Sequence, residues 1–306
     1  MRGSPLEGDV IAASMDRPAV WRGPPEMSDD DPISPSPAPA AAASAPRPPK
    51  TRMFFEGRYR KLVRDLPQTV LFCPVCKGRG RGCKRCEGYG KLTKDSVQEL
   101  LARVAMPRFK ARRNKFHGAG REDIDVRMLG PGRLFVFEIL NPKVPRPDLR
   151  EIEDEINRRY AGRLEVLDLR YCERRRVAEV KQARQAKEYE AIVHPDPPAD
   201  PSRLAELIGR RVEVVQRTPE RVVHRRADLE RRRWVRLDSV EPAPDGCIRI
   251  RVRSEHGTYI KEAISGEGGR THPSLASLLD VRCECRELDV VGIFDEAPAE
   301  APAARA

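Results

Sequence analysis

Apolar residues along the chain fall into two rhythms, and the switches between them mark the elements. The first fifty residues show neither: Pro, Ala and Ser mix with short acidic runs such as Asp29-Asp30-Asp31-Pro32. Such composition cannot bury enough surface to offset its ordering entropy, so a disordered tail is expected there, and again from Asp295 to Ala306. A helical period sets in after Ser96, where Val97, Leu100, Leu101 and Val104 share one face and Ser96-Val97-Gln98-Glu99 has the form of a capping box. A second helix is predicted to open at Asp148, with Glu151 three residues on. It sets Leu149, Ile152, Ile156 and Tyr160 on one stripe and stops at Gly162. Between the helices, Leu134 to Leu140 is a nearly continuous apolar run, which marks a buried strand. Strand signals then multiply at Leu164 to Tyr171, Glu188 to His194, Arg211 to Val215, Cys247 to Arg253 and Cys283 to Val291. From Cys247 to Arg253 the alternation is strict and puts Arg249, Arg251 and Arg253 on one face. Several strands with a few helices packed against them make an α+β fold.

Charge changes the picture from a fold to a partner. Across 306 residues the formal net charge is +11, carried by 58 Lys and Arg, which points to a polyanion, and nucleic acid is the commonest one. Aromatic residues are only 5%, so base stacking can involve few side chains. No apolar stretch has the length of a membrane span and the start of the chain has no signal-like apolar core, so an intracellular, cytoplasmic protein is expected, acting as a monomer. Its length allows one large or two modest domains.

Eight cysteines without an export signal read as thiols and metal ligands rather than disulfides. Four are clustered: Cys73-Pro-Val-Cys76-Lys-Gly-Arg-Gly and Cys83-Lys-Arg-Cys86-Glu-Gly-Tyr-Gly form an internal repeat. Four soft ligands in two such turns suit a tetrahedral Zn²⁺, and a closed ligand set leaves no position for chemistry, so a structural zinc knuckle over residues 71–92 is expected. Lys77, Arg79, Arg81, Lys84 and Arg85 surround it, which lets the knuckle touch RNA phosphate as well.

The densest candidate chemistry lies from Gly118 to Arg133, where Glu122, Asp123 and Asp125 stand between two glycine clusters. Three carboxylates cannot share a pocket unpaired. Arg121 and Arg127 are the nearest cations to hold one ionised; the alternative is a solvated, charge-paired turn. The segment Gly120-Arg121-Glu122-Asp123-Ile124-Asp125-Val126-Arg127-Met128-Leu129-Gly130, followed by Gly132-Arg133, resembles the catalytic motif of the Pus10 family of tRNA pseudouridine synthases. Further matches run in order from about Gly57 to about Phe294: Gly57-Arg58-Tyr59-Arg60-Lys61, Leu66-Pro67-Gln68-Thr69, Thr218-Pro219-Glu220-Arg221-Val222 with His224-Arg225-Arg226, and Gly257-Thr258-Tyr259-Ile260-Lys261-Glu262. Inside the motif, Leu134 stands where the family usually has proline. Archaeal-type members carry a similar cysteine insertion after the Leu-Pro-Gln-Thr segment. They also usually have an N-terminal RNA-binding domain of the THUMP type, for which the first fifty residues here leave no room.

The resemblance implies a mixed, largely antiparallel pseudouridine synthase sheet over residues 51–294 and T-arm tRNA as substrate, at positions 54 and/or 55. It maps the essential aspartate onto Asp123, acting as nucleophile or as the base that starts elimination at the sugar. It maps the tyrosine that stacks on the uracil onto Tyr189, in Lys187-Glu188-Tyr189-Glu190-Ala191, where a half-buried core tyrosine is the plain alternative. Lys261 takes the place of the basic partner of the aspartate, with Tyr259 packing beneath the site, on the same face if the segment is a strand. Leu278 resembles the leucine that walls the uracil, although an ordinary helix-core leucine reads the same way. Tyr259, Leu278 and Arg121 complete the expected substrate contacts. No organic cofactor is needed, since the reaction requires only a carboxylate, a platform and a dry pocket for an extruded nucleotide. The run His224-Arg225-Arg226 to Arg231-Arg232-Arg233-Trp234-Val235-Arg236 reads as a grip on RNA backbone or as a solvated charged face. Two other functions stay open: a non-catalytic zinc-knuckle RNA-binding protein on the same scaffold, and an RNA hydrolase that admits water at the ribosyl bond.

Overall fold

A computed structural model describes residues 51–295 apart from His224 and Arg225; the expected tails at 1–50 and 295–306 lie outside the described residues except for Asp295, which ends the last strand. The chain enters through strand β1 (Arg52–Lys61), which periodicity does not reveal because Glu56 and Lys61 are buried beside Phe54, Phe55 and Tyr59. The cysteine segment follows, closed by a bridge between Phe72 and Lys91. Helix α1 (Val97–Arg108) starts as expected: Ser96 Oγ accepts from the Glu99 amide at 3.2 Å and Val97, Leu100, Leu101 and Val104 are buried. The cap is worth about 1 kcal/mol. The Glu99 carboxylate accepts from the Ser96 hydroxyl at 2.8 Å, so the box is closed side chain to side chain.

Next come β2 (Arg113–Gly118), β3 (Arg127–Leu140) and α2 (Leu149–Arg159), whose Asp148 cap accepts from the Arg150 amide at 2.7 Å. The remainder is β4 (Leu164–Tyr171), α3 (Arg176–Gln182), β5 (Gln185–Asp196), β6 (Arg211–Arg217), α4 (Glu220–Val223), β7 (Glu230–Pro242), β8 (Ile248–Ser254), α5 (Ile260–Ser265), β9 (Thr271–His272), α6 (Leu275–Leu279) and β10 (Arg282–Asp295). The segment Gly257 to Lys261 is not a strand but a turn leading into the first residues of α5. A left-handed Gly257 and the Tyr259 N-cap start a helix there.

All ten strands join one sheet in the order β4-β1-β3-β10-β5-β8-β7-β6-β9, with β2 also on β3. Every pairing between these strands is antiparallel except β3 with β10, so the sheet is mixed and largely antiparallel. Strand β3 changes neighbours along one edge. Arg127 and Met128 lie beside β10, whereas Phe135 to Leu140 lie beside β2. Gly130 makes the close approach at this handover possible. Its φ is +59°, and a Cβ there would sit 2.1 Å from the Val291 carbonyl oxygen. Helices α1 and α2 cover Phe55, Phe135 and Phe137 on one face, while Val180 of α3 packs with Phe54 and Val136 on the other. The predicted arginine face of β8 is partly engaged within the sheet. Arg249 and Arg251 meet Glu190 at 2.6 and 3.2 Å, and Arg253 lies over the Phe294 ring. Among the described residues no helix is long and apolar enough to cross a membrane.

Candidate active site

The three acids of the loop between β2 and β3 are each given a different partner. Glu122 points inward and is buried. The Tyr59 hydroxyl lies 2.8 and 2.9 Å from its oxygens, and Arg133 Nε lies 2.8 Å from Oε2. Gln68 Nε2 donates to the Tyr59 oxygen at 2.9 Å and to the Gly120 carbonyl at 3.1 Å, while Arg133 Nη1 donates to the Ala119 carbonyl at 2.7 Å. Lys61, with no exposed surface, sits 3.9 Å from Glu122 and donates to the carbonyls of Leu66, Asp123 and Ile124 at 2.9, 3.0 and 3.1 Å. Burial is the chief reason its ammonium is pushed down to about 8, against the pull of Glu122. This inner network fixes the backbone on which the next acid stands.

Asp123 faces a cleft of about 410 Å³, a size suited to a nucleoside. Its Oδ2 lies 2.8 Å from Arg221 Nη1, and Arg221 is held from behind by the buried Glu262 of α5, at 2.6 Å from Nε and 3.2 Å from Nη2. The fork therefore presents a fixed cation to Asp123. Lys261, expected as the direct partner, is 4.0 Å from Asp123 and bonds Asp125 at 2.6 and 2.8 Å. Its position at the first turn of a helix, not on a strand, turns it toward the second aspartate. Burial would raise the Asp125 carboxyl, but the Lys261 ammonium outweighs it and holds the group below its ordinary value. Arg127 pairs with Asp289 on β10, and neither it nor Arg121 neutralises Asp123.

The floor of the cleft is apolar, formed by Val126, Tyr189, Leu288 and Val290. Tyr189 on β5 is registered opposite Val290 on β10, so the two share a face. Burial pushes the Tyr189 hydroxyl up to about 12, with Arg133 opposing the shift, and it stays protonated across the neutral range. Arg121, Tyr259 and Arg226 also line the cleft, and Arg221 lies over the Tyr259 ring at 6.0 Å. Leu278 does not. On the short helix α6 it borders a separate apolar pocket of about 70 Å³ with Leu204, Val214 and Leu275, whereas Leu288 and Val290 line the cleft. Of the arginine run, Arg226 reaches the cleft and Arg225 lies outside the described residues. Arg231 bonds Thr218, Arg232 pairs with Glu213 at 3.0 Å and Arg233 faces Glu255 at 3.5 Å, and none of the three lines the cleft.

The sulfurs of Cys73, Cys76, Cys83 and Cys86 lie within 4.8 Å of one another, a donor set that can hold a metal ion. The two turns are in backbone contact, since a Cβ on Gly80 would fall 2.3 Å from the Gly88 carbonyl oxygen. Amides of Gly80 and Gly90 point at Cys76 and Cys86 Sγ at 3.4 and 3.2 Å, as thiolate ligands require.

Comparison with known proteins follows the same outline. The family model described as "Pus10, C-terminal" matches residues 54–294. The tRNA pseudouridine synthase Pus10 of Methanothrix thermoacetophila is 46% identical over 242 residues, covering 79% of this chain and 53% of that protein. Those of Methanothermobacter marburgensis and Methanocaldococcus jannaschii are 46% and 45% identical, covering 80% and 79% of this chain and 60% and 53% of theirs. The chain thus spans between about half and three-fifths of the length of these relatives. Among solved structures, a Cbf5-Nop10-Gar1 complex aligns at a TM-score of 0.37 and 20% identity, over 66% of this chain and 46% of that one. With a family match across the whole of the folded sheet, from β1 to β10, the chain belongs to the Pus10 C-terminal family.

Proposed function

We propose that this chain carries the catalytic part of a tRNA pseudouridine synthase, isomerising uridine to pseudouridine at position 54 and/or 55 of the T arm. The observation that carries the reading is Asp123, held between Arg221 and Lys261 at the edge of a nucleoside-sized cleft with Tyr189 on its floor. The names of the relatives support the substrate class. In this reading Asp123 acts at the ribose C1′ side of an extruded uridine, as nucleophile or as eliminating base. The C1′–N1 bond breaks, the uracil turns on the Tyr189 ring, C1′ bonds to C5, and the hydrogen of C5 is replaced by one on N1. Leu288 and Val290 keep the detached base from escaping. Arg221 positions the aspartate, and Arg121 and Arg226 meet backbone phosphate at the rim. Purified protein incubated with a tRNA transcript should give carbodiimide-dependent primer-extension stops at position 54 or 55; their absence contradicts the reading.

Lys61 ties the rate to pH. Its ammonium has three N–H donors for three carbonyls, whereas the neutral amine has two. As pH rises through about 8, one of the carbonyls of Leu66, Asp123 and Ile124 loses its donor and the loop slackens. The rate of pseudouridine formation should fall there. Stability should not fall on this residue's account: the unfolded chain holds the proton to about 10.5 and the folded chain only to about 8. The unfolded state binds more protons between those values, so the contribution of Lys61 to stability rises with pH. Single-turnover rates and unfolding midpoints across pH 7 to 10 should diverge in this way; a rate flat across that range removes the clamp from the mechanism.

The metal in this reading is Zn²⁺, bound by Cys73, Cys76, Cys83 and Cys86. Bound there it would supply a cross-link between the two turns rather than chemistry. Elemental analysis should find about one zinc per chain, lost in Cys83→Ser with Cys86→Ser; unchanged metal content in that variant would exclude this set as ligands.

A further inference from the structure

The cysteine segment, residues 71–92, carries a surface that its metal does not explain. Four of the eight exposed large apolar side chains among the described residues are here, at Phe72, Val75, Tyr89 and Leu92. Phe72 and Tyr89 are the exposed aromatics of the described chain, with 62% and 76% of their surface open. Lys77, Arg79, Arg81, Lys84 and Arg85 are all exposed, and none of the five makes an ion pair among the described residues. Lys91, by contrast, is paired with Glu99, and Glu87 is the one acid between Leu71 and Leu92. Tyr89 stands between Gly88 and Gly90, whose backbones are locked against the first turn, so its backbone has little freedom to lose on binding. Open rings among unpaired cations match the two faces of single-stranded nucleic acid, bases and phosphates.

The segment is also rooted at the cleft. Gln68, which holds the Gly120 carbonyl of the Asp123 loop, precedes Phe72 by four residues, at most about 14 Å of chain. We propose that this knob docks on unpaired nucleotides of the RNA whose uridine enters the cleft, Tyr89 and Phe72 stacking on bases while the free cations hold phosphates. The proposal rests on the function proposed above. It assigns to the knob a preference for loop over duplex, which charge alone cannot supply.

The test is fluorescence anisotropy of wild-type protein with a labelled T-arm stem-loop and with a fully paired RNA of equal length. Tyr89→Ala should weaken stem-loop binding about tenfold without changing its salt dependence, and Tyr89→Phe should restore it. Arg79→Ala with Arg81→Ala should instead flatten the salt dependence, by about 0.7 in slope for each lost phosphate contact. Unchanged metal content and unfolding midpoint in each variant show that the knob is intact. Full stem-loop affinity in Tyr89→Ala combined with Phe72→Ala overturns the proposal, as does a change in sedimentation of that variant without a change in RNA binding, which would mark a protein-docking surface. If wild type makes pseudouridine while the variants bind normally, the knob proposal alone fails; if wild type neither binds nor modifies RNA, the reading of the cleft fails with it.

Discussion

Replacing Asp123 by asparagine should lower pseudouridine formation by about a thousandfold or more while leaving RNA binding and folding intact. The substitution keeps the shape of the side chain and removes only the charge that acts at the sugar. The fold should tolerate it because the Asp123 and Arg221 side chains are each about a third exposed, and such a pair is worth no more than about 1 kcal/mol. Arg221 also keeps its bonds to Glu262. Single-turnover rates on a T-arm transcript, beside anisotropy with the same RNA, separate the two effects. A variant that retains wild-type rate would remove Asp123 from the chemistry.

The opposite behaviour is expected one layer down, at the Arg133 partner of the neighbouring Glu122. Arg133→Met should destabilise the fold by about 3–5 kcal/mol, because it leaves a buried Glu122 without its guanidinium. Lys61 cannot take over. It stands 3.9 Å away and its three donors are committed to backbone carbonyls. The unfolding midpoint should drop by about 10 °C. Adding Glu122→Gln to Arg133→Met should restore much of the loss, since the stranded charge rather than the missing contact is the main cost. Urea denaturation of the two single variants and the double variant measures this coupling; an Arg133→Met midpoint equal to wild type would mean that the buried Arg133–Glu122 pair does not hold the fold.

These two residues also show where reading the chain works. The helices α1 and α2, with Ser96 and Asp148 as caps, are legible because caps and stripes are local. The cysteine cluster is legible for the same reason: two short repeats bring four sulfurs together. Asp123, Tyr189 and Lys261 come to one cleft from three distant segments, and the family motifs rather than periodicity name them in advance. Arg221 is different. It belongs to a recognised motif, yet nothing in a chain with 58 Lys and Arg says which of them crosses 98 positions to reach Asp123. That choice is made by Glu262, which orients the fork and is itself invisible as a partner until α5 folds. Leu278 and Leu288 show a second limit. Both are leucines near the end of the chain, but Leu278 lies on α6 against a separate pocket, whereas the pairing of β10 with β5 sets Leu288 and Val290 along the cleft beside Tyr189. Strand β1 escapes periodicity because Glu56 and Lys61 are buried polar residues satisfied by distant partners, Glu56 by Arg170 and Arg176 and Lys61 by the Asp123 loop.

The proposed reaction is one event, the transfer of the ribose from N1 to C5 of a uracil that never leaves the cleft. A tRNA transcript labelled with tritium at C5 of its uridines measures that event directly. Wild-type protein should release the label to water while the RNA keeps its length and no free uracil appears. Free uracil would instead identify a hydrolase, and label retained in full on RNA that the protein binds would identify a binding protein; either result contradicts the account.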